Sequence, residues 1–137
     1  MPPPQMTIMN APSREYCLPR RERTNTPLQA LLMMNEEEYF NAAKACAKLT
    51  LAETDDLKTG LSTTYEKITS HLPSDERLKL MEETFAEFID IYQNDKALTE
   101  SLTPELSGSA FDERVELAAW TMMTHSLLNL ELAKVRR

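Results

Sequence analysis

Three arginines and two amides stand close together in RRERTNTPLQ: Arg20, Arg21, Arg23, Asn25 and Gln29. A guanidinium can clamp a carboxylate through two parallel hydrogen bonds or stack on an aromatic ring, and neighbouring guanidiniums can share a small anion. The leading reading is a clamp that stitches an entry segment to an acidic helix of the same or a neighbouring domain. Ordinary solvated charge and a small-anion site are the alternatives. The Asn25 and Gln29 amides could extend such a binding site, although a turn-stabilising Asn and a solvent-facing Gln account for the same residues.

The other reactive side chains form no recognisable constellation. His71 and His125 are the only histidines, lie in separate segments and occur in no HExxH pattern, so no metal ligand set is assigned. His125 is expected to pack at an edge or partly buried, with one ring nitrogen seeking a polar partner. Ser126 points away from it, because adjacent residues on a helix do not face each other. No GxSxG elbow or glycine-rich phosphate loop is present. Asp112, Glu116 and Glu131 read as capping or surface carboxylates. Cys17 and Cys46 have neither zinc-site nor haem-attachment spacing and stand as two free thiols or, in an oxidising compartment, a disulfide. No catalytic residue and no cofactor is assigned.

These groups must be held by helices. The 137 residues contain two glycines, and alanine, leucine, methionine and glutamate are abundant, which favours an all-α chain over a sheet with several tight turns. The reading is a compact bundle of about five helices over 20–137, preceded by an extended, proline-containing arm over 1–19 that carries five of the eight prolines. The formal charge is -7, with +2 in residues 1–25 and -9 in the remainder. A dominantly acidic field opposes phosphate binding, so nucleic acid is not an expected partner. No run approaches about 18 apolar residues, so direct membrane insertion is not expected. The opening MPPPQMTIMN lacks the basic and apolar regions of a signal peptide, and the isolated sequence reads as cytoplasmic.

Along the chain, Thr26 can cap a helix that Pro27 opens, with Leu28, Leu31 and Leu32 as its apolar face. Asn35 can end that helix or, with Glu38, form a capping box for the next, expected over about 36–52. Glu36, Glu37 and Glu38 suit a helix start better than a metal cluster, since adjacent residues diverge. Asp55 or Asp56 opens a third helix interrupted by Gly60, where close packing or a bend would offset a propensity cost of about 1 kcal/mol. Ser74 opens the cleanest amphipathic helix, with Leu78, Met81, Phe85, Phe88 and Tyr92 inward. Residues 95–103 can add a short turn or helix. Asp112 is a candidate cap for a final helix running through ELAAWTMMTHSLLNLEL, apolar around most of its circumference at Trp120, Leu127 and Leu128 among others. Such a helix belongs at the centre, covered either by its own domain or by another chain.

The segments NAPSREYCLPRRERTNTPLQALLMMNEEEYFNAA and AFDERVELAAWTMMTHSLLNLELAK, in that order, resemble the C-terminal part of a planctomycete family of conserved domains of unknown function. Arg21, Arg23, Asn25, Thr26, Pro27 and Gln29 match the family's most characteristic patch, and Trp120, Leu128 and Asn129 match its closing helix. The chain departs from the pattern at Met9 and Asn10, where the family has Phe-Asp, and at SHLPSDE, which replaces a glycine-arginine turn. The resemblance implies the end of a large, exported protein that often carries a cytochrome-c-like module far upstream, and hence an extracytoplasmic location. It assigns no catalytic residue and places no haem on this chain. The expected function is a noncatalytic accessory or interaction module whose partner is an upstream domain of the same parent protein or another copy in a homo-oligomer. The alternative is a non-autonomous part of an extracytoplasmic polymer-degrading or redox assembly.

Overall fold

The computed structural model describes residues 4–11, 24 and 26–134. These residues fold as α-helices with one short 3-10 turn and no strand among them. In chain order they are α1 (Pro4–Ile8), α2 (Pro27–Asn35), α3 (Glu37–Glu53), α4 (Leu57–Thr69), α5 (Asp75–Asn94), α6 (Lys96–Leu102), the 3-10 turn (Pro104–Leu106), α7 (Phe111–Leu128) and α8 (Glu131–Lys134). The bundle is α3–α7, and α7 is its axis.

Side-chain size explains why α7 takes that place. It is buried from Arg114 to Leu127 on nearly every side, including Ala118 and Ala119 at 0% exposure. Its largest interfaces are with α3 and α5. On α3 the fully buried residues are small, Ala43, Ala47 and Thr50, and fall on one face at helical spacing, which lets two backbones approach closely. On α5 the contributors are large: Met81, Phe85 and Tyr92 are buried, with Leu78 and Phe88 half-buried against the same core. The bundle itself covers the apolar circumference of α7, so a second chain is not needed for that purpose.

Local chemistry sets the helix starts. Asp56 caps α4, accepting from Thr59 N at 2.9 Å; Ser74 caps α5 and Asp95 caps α6 in the same way. α4 stops at Ser70, which takes the left-handed conformation (φ 63°) that commonly closes a helix. Gly60, in the second turn of α4, lies under Trp120: a Cβ built there would stand 2.9 Å from Trp120 Cη2 and 3.2 Å from Thr50 Cγ2. Close packing is therefore why the helix carries a glycine.

Three expectations about helix bounds need correction, and a fourth had two outcomes open. Pro4–Ile8 is helical rather than extended, with proline in the first turn, where its missing N–H costs nothing. Of the two roles open to Asn35 it takes the first: its amide donates back to Leu31 O at 2.8 Å and closes α2, while Glu36 is the N-cap of α3 and makes no side-chain capping bond. Ala110 precedes α7, so Asp112 lies inside its first turn, where its charge meets the positive end of the helix dipole. The closing helix also breaks, because Asn129 ends α7, donating from Nδ2 to His125 O at 3.0 Å, and the chain restarts as α8.

Candidate functional site

The front of the chain is tied down by Gln29. The expectation of a solvent-facing Gln29 is corrected: the residue is 5% exposed, and Nε2 donates to Ile8 O at 2.9 Å and to Thr24 Oγ1 at 2.7 Å. Oε1 accepts from Thr26 N at 3.0 Å while Thr26 Oγ1 accepts from Gln29 N at 3.3 Å, a reciprocal capping box. Both amide protons are thus spent on holding α1 and Thr24 against α2, with Pro27 at the first helical position. Arg20, Arg21, Arg23 and Asn25, the rest of the expected binding group, lie outside the described residues, as does Cys17.

Turning Gln29 inward decides which side of α2 meets the bundle. Leu32 and Met33 follow it to the inner side and are half-buried, and Met33 O accepts from His125 Nε2 at 3.3 Å. That bond requires the proton on Nε2. The buried His125 ring also meets Phe40 edge-on at 5.6 Å, which seats the start of α3 and the end of α2 on α7. The outer side of α2 is left to solvent: Leu28, Leu31 and Met34 are 55%, 56% and 58% exposed. The expectation that Leu28 and Leu31 join the core is corrected by this rotation. Trp120, Leu127 and Phe85 are buried, and Leu128 and Phe88 are half-buried.

A second feature opens where the end of α3, the start of α4, the 3-10 turn and the first turns of α7 converge. It is a cleft of about 500 Å³ walled by Leu51, Leu57, Phe85, Leu106, Leu117 and Trp120. Phe85 and Trp120 meet at 4.9 Å with their planes tilted by 55°. The carboxylates of Asp55, Asp56, Glu113 and Glu116 surround it with Lys48. Lys48 is already engaged by Glu105 at 2.9 Å, and Lys44 reaches the same carboxylate at 3.4 Å and Leu102 O at 2.6 Å.

Two carboxyls here titrate below their ordinary range. The Thr59 hydroxyl and then its N–H hold Asp56 down, against weak burial and with help from Lys58. For Glu105 burial pushes upward, but its own backbone N–H, Lys48 and Lys44 together outweigh it. A carboxyl whose folded pKa is depressed binds fewer protons folded than unfolded. Its stabilisation is complete above the unfolded value of about 4 and is lost as pH falls through the folded value. Unfolding stability is therefore expected to decline below about pH 4.5, and Asp56→Asn with Glu105→Gln should flatten that decline in urea titrations. An unchanged slope in the double variant would show that other carboxylates govern it.

Burial raises the thiol pKa of half-buried Cys46, with Lys67 opposing and Glu53 reinforcing, so the free thiol is kept in its less nucleophilic form. Among the described residues no group of three or more His, Cys, Asp or Glu is placed to hold a metal ion, and no helix is long and apolar enough to cross a membrane.

The family model described as "Protein of unknown function (DUF1553)" matches residues 1–85, more than half of the chain. The chain belongs to the DUF1553 family. No curated protein matches it, and no solved structure does. The DUF1553 match takes in the Arg20–Gln29 segment, α2, α3, α4 and α5 as far as Phe85, so the closing helix that carries half of the sequence resemblance lies beyond it. The cleft is accordingly split: Asp55, Asp56 and Leu57 fall inside the DUF1553 match, while Glu113, Glu116 and Trp120 fall outside.

Proposed function

We propose that this DUF1553 chain is a noncatalytic helical accessory module that docks on another part of its parent protein through the outer face of α2. The supporting observation is the stripe of Leu28, Leu31 and Met34 on a helix whose opposite side is pinned by Gln29 and Met33. Three large apolar side chains at successive turns of a fixed helix form the anchor series with which one helix enters a groove of another surface. The family resemblance supports an upstream domain of the same polypeptide as that surface, and an extracytoplasmic setting belongs to the same proposal. A homo-oligomer formed by α7 has lost its motive, because the bundle covers that helix.

The test is binding between this chain and the separately produced upstream domain of its parent protein, followed by calorimetry, alongside mass measured across protein concentration. Leu31→Asp changes an exposed side chain and should leave the unfolding curve within about 0.5 kcal/mol of the wild type. Desolvation of a leucine contributes about 1.5–3 kcal/mol, so the variant should bind at least about tenfold more weakly. Equal affinity in the variant, or no association with the upstream domain, overturns the proposal. Concentration-dependent dimerisation that Leu31→Asp abolishes would assign the same face to a second copy and overturn the choice of partner.

A further inference from the structure

The cleft lies away from the α2 face and is not used by that proposal. We infer that it receives a basic peptide segment, with one aliphatic or aromatic side chain entering the cleft and arginines or lysines meeting the carboxylates at its mouth. Its volume of about 500 Å³ suits one large side chain and its neighbours, and its apolar walls come from five separate elements.

Charge complementarity selects the occupant. Asp55, Asp56, Glu113 and Glu116 are all exposed at the mouth, and none has an ion-pair partner among the described residues. The local lysine is committed to Glu105. Asp56 is spent on capping α4, which leaves Asp55, between α3 and α4, and Glu113 and Glu116, on α7, as acceptors. An anionic or purely apolar segment would meet uncompensated negative charge there. A basic segment with a single apolar side chain gains both terms, and its association should weaken with salt.

Trp120 is the sole tryptophan and part of the wall, so its emission reports occupancy without a label. The probes are two synthetic decapeptides with a central Leu or Phe between pairs of arginines, a version with glycine at the centre, and a version with glutamine for every arginine. The expected result is a saturable shift in Trp120 emission with the first two, at least tenfold weaker binding by each control, and loss of affinity as salt rises. Glu113→Gln with Glu116→Gln, both exposed, should weaken binding about tenfold while the circular dichroism spectrum is kept. Equal binding of the glycine-centred peptide reduces the site to a nonspecific acidic surface and overturns the inference. So does unchanged affinity in the double variant, or no emission change with either arginine peptide up to about 1 mM, an affinity of only about 4 kcal/mol.

Discussion

Replacing Trp120 with alanine is expected to lower unfolding stability by about 3–5 kcal/mol, the range for removing a large aromatic from a core. The ring is 4% exposed, stacks obliquely on Phe85 and fills the notch left by Gly60. The notch gives the prediction a sign test. Gly60→Ala gains about 1 kcal/mol of helix propensity but inserts a methyl 2.9 Å from a ring atom that cannot swing away, an overpacking cost of about 1–3 kcal/mol. In the wild type the change should therefore destabilise the chain or be neutral. In the Trp120→Ala background the ring is gone and only Thr50 Cγ2, at 3.2 Å, still stands close, so the same change should cost at least about 1 kcal/mol less than in the wild type. Urea unfolding of the four proteins closes the cycle. Additive effects would mean that the two residues do not constrain each other.

The second large effect belongs to Arg114. This residue is 9% exposed, and its guanidinium joins α7 to the end of α6: Nε donates to Thr103 Oγ1 at 3.1 Å, and Nη2 donates to Thr103 O at 3.2 Å and Glu100 O at 3.3 Å. Arg114→Met keeps the aliphatic stem and deletes the donors. Thr103 is fully buried, so its carbonyl loses a partner where water does not reach, and the total cost should be about 2–4 kcal/mol. The carboxylate of Glu100, by contrast, stands 4.0 Å away and is half exposed, so Glu100→Gln should cost under about 1 kcal/mol. Lysine should rescue poorly, because one ammonium cannot reproduce the fork. A Glu100→Gln loss as large as that of Arg114→Met would identify the ion pair, rather than the backbone acceptors, as the stabilising element.

Local chemistry was the readable part of this sequence. Thr26, Asp56 and Ser74 act on N–H groups three residues away, and a cap of that kind is fully contained in a few letters. The central position of α7 was readable for a different reason, because a helix apolar on every side has no solvent face to offer. Failures occurred where the deciding contact is distant. Leucines at 28 and 31 look inward by spacing, but the rotation of α2 is set by Gln29 reaching Ile8 O, 21 residues away, and by His125 reaching Met33 O, 92 residues away. The break at Asn129 is masked by leucines that continue the helical period on both sides. The cleft is invisible for the same reason: its walls run from Leu51 to Trp120, and nothing in their spacing announces that they converge.

The axial position of α7 also imposes an order on synthesis. Ala47 leaves the ribosome 73 residues before Trp120, a delay on the order of 4–15 s at usual elongation rates. During that interval the inward face of α3, and then that of α5, lacks the helix against which it makes its largest interface. The nascent chain must keep them from sticking to each other wrongly, or to something else, until its last large helix arrives. Ribosome-bound chains halted before α7 should consequently be captured by chaperones more than chains halted after it.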